Sequence, residues 1–202
     1  MIKNSDIAIL ILAAGESIRM GEPKQLLTWM GTTLLGNAIN EAKMVSPEDV
    51  YVVLGGNFEL IKEIDELKKV NSIYNPNFKI GQGSSLSFGI NCILDKGVGY
   101  KAILIMLCDQ PLINSDYLNK LIYNFRINHK GIVATKYQKK AGVPAIFQNG
   151  YFDELCNISG DKGASHIISG NSSNCILISA GDNIIDIDTK EDYQMLKNQF
   201  SF

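Results

Sequence analysis

Three small residues and two cations near the N-terminus have the types and spacing of an anion-binding loop. Residues 13–15 are Ala-Ala-Gly and directly follow an apolar run over residues 7–12, while Arg19 and Lys24 come a few positions later. Small side chains at the end of a strand let backbone amides approach a ligand, and successive amides in such a turn form an anion-binding concavity. The two cations can close on a polyphosphate through charge-assisted hydrogen bonds. The segment therefore predicts binding of a nucleoside triphosphate.

Carboxylates at two later places are suited to a divalent cation. Asp109 ends a second apolar run, in AILIMLCDQP, and Asp186 and Asp188 lie two positions apart in IIDIDTKEDY. Two acids at i and i+2 of an extended segment project to the same face. Magnesium prefers one or two carboxylates, with substrate phosphates and water supplying the other oxygens. The structural alternatives are that Asp109 only caps the turn after its strand, and that Asp188 or Thr189 is the N-cap of the last helix.

A mostly parallel α/β sheet must position these residues. Apolar runs alternate with segments of helical period, which is the rhythm of strand-helix-strand units. The predicted strands cover residues 7–12, 50–54, 103–107, 132–135 and 176–178, and the predicted helices cover residues 33–45, 58–69, 84–94, 115–128, 151–156, 164–169 and 191–199. In such sheets a ligand binds beyond the carboxyl ends of the strands. Residues 13–15, Gly55-Gly56 and Asp109 all fall there, although a tight strand-to-helix turn explains the glycine pair equally well.

Length and composition favour one α/β domain and exclude several other classes of protein. The chain has 202 residues, which fits a single domain over residues 1–202. A formal net charge of -2 gives no general basic field, so we expect no nucleic-acid partner. The apolar runs are far shorter than the ~18 residues that span a bilayer, so we expect no membrane segment and a cytoplasmic protein. The four cysteines lack any Cys-x-x-Cys pair and are expected to be buried thiols.

Residues 12–27 resemble a known family signature. They match L-A-A-G-x-S-x-R-M-G-x-P-K-x-L-L, the pattern of the MobA-like nucleotidyltransferases. Residues 142–147, 160–164 and 186–193 resemble further motifs of this family in the expected order, with Lys190 in place of the family's proline. The Ala-Ala-Gly turn and the Pro-Lys pair are most similar to the molybdenum cofactor cytidylyltransferase branch.

The resemblance implies a three-layer, Rossmann-like α/β fold with a mostly parallel sheet. It also implies a reaction in which CMP passes from CTP to the phosphate of molybdopterin, with release of pyrophosphate. Mg²⁺ is the implied cofactor, with Mn²⁺ as an alternative, and a recipient molybdenum hydroxylase or its chaperone is an implied partner besides CTP and the molybdenum cofactor. Two other functions stay open, namely a cytidylyl- or uridylyltransferase acting on a sugar or polyol phosphate, and a molybdopterin carrier without catalysis.

The residue pattern and the resemblance together assign roles to individual side chains. The nucleotide-binding residues are Leu12, Ala13, Ala14, Gly15, Arg19, Lys24, Gly55 and Ser85, and the catalytic residues are Arg19, Lys24 and Asp109. The metal ligands are Asp109 and Asp188, with Asp186 as the alternative to Asp188, and the acceptor-binding residues are Gly142, Pro144, Asp161 and Lys162. Helix capping by Ser84 or Ser85, turn geometry at Gly142 and Pro144, and solvation of an exposed loop at Asp161 and Lys162 are the structural alternatives.

Overall fold

The computed structural model describes residues 6–138, 140–160, 162–181 and 184–200, with a seven-stranded sheet at its centre. In chain order the strands are β1 Ile7–Ala13, β2 Thr28–Trp29, β3 Thr32–Thr33, β4 Val50–Leu54, β5 Asn71–Tyr74, β6 Ala102–Leu107, β7 Ile132–Lys136, β8 Ala141–Gln148 and β9 Cys175–Ser179. The large sheet has the order β5-β4-β1-β6-β8-β7-β9, and β2 pairs separately with β3. Within the large sheet, β8 is antiparallel to both of its neighbours, and the other described pairs are parallel.

Strand β1 lies between β4 and β6 and is parallel to both. All 7 of its residues are buried, as expected of an apolar strand covered on both faces. Successive side chains point to opposite faces, so Ile9 and Ile11 pack in one core while Leu10 packs in the other. The carboxyl end of β1 therefore meets those of β4 and β6 at the edge where open α/β sheets bind ligands.

Helices cover both faces of this sheet. They are α1 Leu34–Val45, α2 Phe58–Ile61, α3 Gln82–Leu94, α4 Ser115–Ile127, α5 Phe152–Cys156, α6 Ala164–Gly170 and α7 Lys190–Phe200. The apolar faces of α1 and α4 pack in one core, and those of α3, α5 and α6 pack in the other. The predicted three-layer, mostly parallel α/β fold is confirmed. No helix within the described ranges is long and apolar enough to cross a membrane.

The predicted helix over residues 58–69 is wrong in its second half. Helix α2 ends at Ile61, and a 3-10 helix follows at Leu67–Lys69. The N–H of Ile64 donates to Ile61 O at 3.0 Å and the N–H of Leu67 donates to Ile64 O at 3.1 Å. These three residues recur every third position and are all buried, so short i→i+3 turns keep them toward the core better than a helix of 3.6 residues per turn.

Four described strands were absent from the sequence prediction, namely the short pair β2 and β3 and, in the large sheet, β5 and β8. Strand β5 is a short strand at the edge of the sheet. It has few buried residues, so its apolar pattern in the sequence is weak. Strand β8 contains Gly142 and Pro144, residues that favour turns. Its pairing with β7 shifts register between Ala134 and Thr135, and the Thr135 hydroxyl donates to Pro144 O at 2.6 Å. The irregularity lets the sheet accept a proline within an interior strand.

The cysteines are less uniformly buried than predicted. Cys108 is buried at the end of β6, whereas Cys92, Cys156 and Cys175 are half-buried, and all four are free thiols. Burial raises the pKa of Cys108 to about 12. Burial also raises the pKa of the other three thiols, so none of the four cysteines is prepared for nucleophilic chemistry at neutral pH.

Candidate active site

A cleft of about 290 Å³ opens where β1 and β6 end and α3 begins. Its lining includes seven of the residues predicted from the sequence, namely Leu12, Ala13, Ala14, Gly15, Lys24, Ser85 and Asp109. The remaining lining residues are Gln25, Phe78, Gly81, Gln82, Leu107 and Cys108. The topology thus brings the anion-binding loop and the strand-end aspartate, which are distant in sequence, to one concave surface.

The loop after β1 is open toward this cleft. A Cβ atom built on Gly15 would meet no atom within 4 Å, so a ligand can approach the backbone there. Ser17 has a left-handed backbone with φ of 57°, and its hydroxyl accepts a hydrogen bond from the N–H of Lys24 at 3.1 Å. The loop therefore turns sharply and connects back to the segment that carries Lys24.

The ammonium of Lys24 lies between two carboxylates. Its Nζ contacts Asp109 Oδ2, and it donates to Asp188 Oδ1 at 3.2 Å and to Ile187 O at 3.3 Å. Burial lowers the pKa of Lys24, but the attraction of Asp109 and their hydrogen bond outweigh it, so the pKa of Lys24 lies above its usual value. Lys24 is therefore a permanent cation at neutral pH.

Arg19 is in a different environment from Lys24. Its side chain is 71% exposed and forms one ion pair, with Asp188 Oδ2 at 3.2 Å. The Lys24 side chain is only 15% exposed. Both cations thus contact Asp188, but Lys24 is fixed by several partners whereas Arg19 is held by one exposed contact.

Asp109 has the features of a cation ligand. Its side chain is 14% exposed, and its Oδ1 atom is buried without a hydrogen-bond partner among the described residues. Burial raises the pKa of Asp109, and the charge of Lys24 opposes that rise. A buried carboxylate oxygen with no donor is costly unless a cation binds it.

The donor set fits a magnesium-type ion that draws most of its ligands from substrate and water. Asp109 and Asp188 would hold such an ion, and both supply the hard oxygen atoms that it prefers. The described part of the chain contains no group of three or more His, Cys, Asp or Glu side chains that could hold a metal. Phosphate oxygens of a bound nucleotide would therefore have to complete the coordination.

The two acids near the C-terminus have different partners. Asp188 contacts Lys24 and Arg19, whereas Asp186 accepts a hydrogen bond from Gln110 Nε2 at 2.7 Å. Both charges raise the pKa of Asp109, so both lie near it. Asp188 is thus the better placed of the two to share a cation with Asp109 on the Lys24 side.

The last helix is capped without the Asp188 side chain. The Thr189 hydroxyl accepts from the N–H of Asp192 at 3.2 Å. Asp192 Oδ2 in turn accepts from the N–H of Thr189 at 2.8 Å and from the N–H of Asp188 at 3.2 Å. This reciprocal arrangement is a capping box, so the alternative role of Asp188 as N-cap is wrong and its carboxylate is left to face the cations.

A second cavity of about 210 Å³ adjoins the cleft and shares Leu12, Gln82 and Leu107 with it. Its other lining residues are Leu86, Gln110, Tyr137, Lys140, Ala141, Gly142, Val143, Gly163, Ala164, Ser165 and Asp186. Of the predicted acceptor-binding residues, Gly142 lines it. Pro144 is buried in β8 and Lys162 is exposed, and neither lines the cavity, while Asp161 lies outside the described residues.

Two predicted nucleotide-binding residues have structural contacts that the sequence did not reveal. Gly55 is buried, and a Cβ atom on it would lie 2.4 Å from Phe78 Cβ and 2.8 Å from Ala14 O. It does not line the cleft and lies between the end of β4 and the start of α2, so the alternative of a tight strand-to-helix turn describes it better. Ser85 does line the cleft, but its hydroxyl accepts from Asn75 Nδ2 at 3.1 Å.

The capping role considered for the serines at the start of α3 is wrong. Helix α3 begins at Gln82 with Gly81 as its N-cap, so both serines lie within the first turn. The Ser84 hydroxyl donates to Asn77 O at 3.2 Å. The N–H of Gly83 donates to Gly160 O at 2.9 Å, and this contact fixes the N-terminal end of α3.

Several site residues were missed by sequence reasoning. They are Gln25, Phe78, Gln82, Gln110 and Tyr137. Gln110 follows the predicted ligand Asp109 directly, and this adjacency was a usable signal. Gln25 lies within the family signature at a position that the pattern leaves open. Only the fold brings Phe78 and Gln82 to the cleft and Tyr137 to the cavity beside it.

The fold and this site define a class of protein. An open strand-end loop, a half-buried lysine and an acid lie together at the carboxyl edge of a sheet that is covered on both faces, an arrangement suited to phosphoryl-group chemistry. The chain belongs to the MobA-like NTP transferase family, whose sequence model matches residues 9–175.

Sequence relatives agree with this assignment. The purine catabolism protein PucB of Bacillus subtilis (strain 168) is 26% identical over 202 residues, which cover 95% of this chain and 96% of PucB. The bifunctional protein GlmU of Coxiella burnetii (strain CbuK_Q154) is 28% identical over 166 residues, which cover 79% of this chain. That match covers only 34% of GlmU, so the chain spans about a third of the length of this bifunctional relative.

Solved structures have the same fold over nearly their whole length. The homolog of Mycobacterium tuberculosis Rv0371c from Mycobacterium sp. strain JC1 is 29% identical, with a TM-score of 0.83 and coverage of 97% of each chain. Rv0371c of M. tuberculosis H37Rv in complex with manganese is 25% identical, with a TM-score of 0.77, and the match covers 94% of this chain and 97% of that one.

Proposed function

We propose that this chain is a cytidylyltransferase that transfers CMP from CTP to the terminal phosphate of molybdopterin, with or without bound molybdenum. The observation that carries the proposal is the placement of Lys24 between Asp109 and Asp188 beside the open phosphate loop. Family membership supports nucleotidyl transfer. The choice of CTP and of molybdopterin rests on the resemblance of the Ala-Ala-Gly turn and the Pro-Lys pair to the cytidylyltransferase branch.

The reaction needs no protein nucleophile. An oxygen of the acceptor phosphate attacks the α-phosphorus of CTP, a new P–O bond forms, and the bond between the α-phosphorus and the bridging oxygen to the β-phosphate breaks. Pyrophosphate leaves with that electron pair, and the product is a cytosine dinucleotide cofactor. Since the attacking oxygen is already anionic, catalysis reduces to alignment and charge neutralisation.

The residues of the cleft divide this work between them. The backbone of residues 13–15 would bind the phosphates, and Lys24, a cation at neutral pH, would neutralise charge on the leaving pyrophosphate. Arg19, which is exposed, would close over the phosphates from the solvent side. Leu12 and the first turn of α3 would face the nucleoside.

A divalent cation, Mg²⁺ or Mn²⁺, would lower the barrier by neutralising phosphate charge when bound. Asp109 and Asp188 are the residues that would hold it, because Asp109 has a buried oxygen without a partner among the described residues. The complex of the relative Rv0371c with manganese supports a divalent metal in this family.

The proposed substrates and product suggest where the protein acts and which protein receives its product. The chain would act as one domain in the cytoplasm, and its product would pass to a molybdenum hydroxylase or to a chaperone of that enzyme. The second cavity, which adjoins the cleft through Leu12 and Leu107, would receive the acceptor.

A pyrophosphate-release assay tests the proposal. CTP, GTP and UTP would each be offered with molybdopterin and, separately, with sugar and polyol phosphates in the presence of Mg²⁺. We expect release with CTP and molybdopterin. Release only with a sugar or polyol phosphate would assign the chain to that alternative activity. Tight binding of molybdopterin without nucleotide consumption would identify a carrier.

Two substitutions test the assigned chemistry. Lys24→Ala and Asp109→Ala should each reduce turnover by at least ~100-fold, because each removes a charge placed at the reacting phosphates. Circular dichroism should show a native fold. Tyr51→Phe removes a buried hydroxyl bonded to Tyr100 away from the cleft and should keep near-normal turnover. Near-normal turnover of the Lys24 or Asp109 variant would overturn the assignment.

A further inference from the structure

Gln25 is a buried polar residue directly beneath the phosphate loop. Its side chain is 1% exposed and also borders the cleft. Gln25 Nε2 donates to Ala13 O at 2.9 Å and to Gly15 O at 2.8 Å. The sequence offers no hint of this role, since Gln25 occupies a variable position of the family signature.

The hydrogen-bond partners fix the orientation of the Gln25 amide. The two carbonyl oxygens can only accept, so the nitrogen must face them. Gln25 Oε1 then accepts from the Ser17 hydroxyl at 3.3 Å. The same hydroxyl accepts from the N–H of Lys24 at 3.1 Å. One side chain therefore connects both ends of the loop to the backbone of the neighbouring lysine.

We propose that Gln25 is a positioning residue that orders the loop for polyphosphate binding, an inference that rests on the proposed function of the loop. A carbonyl turned toward a phosphate would repel it. The Gln25 amide lies on the interior side of the loop and donates hydrogen bonds to the carbonyl oxygens of Ala13 and Gly15. These hydrogen bonds prevent the two carbonyls from turning toward the anion. Through Ser17 it also fixes the backbone at Lys24. Gln25 acts through these groups, and it need not touch the ligand.

The predicted effect is specific for ligands with several phosphates. Gln25→Met keeps a similar length but has no hydrogen-bonding amide, so the loop carbonyls are freed. Isothermal titration of the full chain with Mg²⁺ should show affinities for CTP and for inorganic pyrophosphate that are lower by at least ~10-fold, since all three hydrogen bonds of the Gln25 amide are lost. The KM for the acceptor should stay within about twofold. Exchange of the Lys24 amide hydrogen should be faster than in the wild-type protein.

Two further variants keep the test decisive. Ser17→Ala cuts the connection between Gln25 and Lys24 at a half-buried position. It should weaken CTP and pyrophosphate binding even if the Gln25→Met protein does not fold. Tyr51→Phe is the matched loss of a buried hydrogen bond far from the loop and should leave both affinities unchanged.

Defined outcomes separate this inference from the proposed function. Unchanged CTP and pyrophosphate affinity in Gln25→Met, or equal losses for phosphates and acceptor, would overturn the positioning role. A folded Ser17→Ala protein with wild-type affinities would do so as well. If the wild-type chain binds pyrophosphate but transfers no nucleotide, the proposed function fails while the Gln25 comparison still applies. If it binds neither CTP nor pyrophosphate, both fail.

Discussion

Lys24 connects the two halves of the candidate site at the level of single residues. It contacts Asp109 from β6 and Asp188 from the C-terminal segment, and its own backbone N–H is held by the phosphate loop. Residue types and positions in the sequence were enough to predict Lys24 and Asp109 as site residues, and both line the cleft. Their mutual contact could not be predicted, because it depends on how three distant segments converge.

The two acids near the C-terminus can be told apart by matched substitutions. Because Asp188 shares Lys24 with Asp109 whereas Asp186 binds Gln110, we expect Asp188→Asn to raise the Mg²⁺ concentration needed for half-maximal turnover by at least ~10-fold. Asp186→Asn should have a smaller effect on Mg²⁺. The Mg²⁺ dependence of pyrophosphate release checks this, and the reverse order would make Asp186 the ligand.

Cys108 precedes Asp109 but should be chemically inert. Its thiol is buried, and burial raises its pKa to about 12, so the reactive thiolate is a negligible fraction at pH 8. Alkylation with iodoacetamide at pH 8, followed by peptide mass spectrometry, should therefore leave Cys108 unmodified in the native protein and modify it after denaturation. Rapid native labelling of Cys108 would show that this strand end opens.

At the level of elements, predictability followed the strength of the local signal. Strands β1 and β6 are continuous apolar runs, and their edges were predicted within one residue. Strand β8 was missed because glycine and proline masked its pattern, and the helix after β4 broke because a three-residue apolar repeat favours short turns. The local sequence pattern therefore predicted β1 and β6, which end at the cleft, better than β8, which borders the second cavity.

The turn after β4 supports the loop after β1, and Gly55→Ala tests this support. The added methyl group would meet Phe78 and Ala14 O at distances shorter than normal contacts, so the loop must shift. We expect a loss of ~1–3 kcal/mol in the free energy of unfolding, measured in urea, together with a higher KM for the nucleotide. Gly56→Ala is a poor control because its Cβ would contact Glu16 of the same loop. Gly150→Ala is the better control, because a Cβ atom at Gly150 would meet no atom within 4 Å. It should change neither the free energy of unfolding nor the KM for the nucleotide. Wild-type stability and KM in Gly55→Ala would show that this packing is unimportant.

In the whole molecule, one sheet edge gathers groups from both ends of the chain. The phosphate loop comes from the first strand, Asp109 from the middle of the chain and Asp188 from the segment before the last helix. This convergence follows from parallel topology, and it explains why the sequence could predict that the loop after β1 and Asp109 meet at one sheet edge. The contacts of Gln110 with Tyr137 and Asp186 beside the second cavity could not be predicted, because these three residues come from separate segments that meet only in the folded chain.

The proposed transfer of a nucleotidyl group from CTP to molybdopterin can be followed with labelled CTP. CTP labelled at the α-phosphate would be incubated with the chain, Mg²⁺ and molybdopterin, and both pyrophosphate and labelled dinucleotide would be quantified. We predict equal amounts of the two products, and loss of both in Asp109→Ala. Absence of labelled dinucleotide, or pyrophosphate release without transfer of the label to molybdopterin, would contradict the proposal.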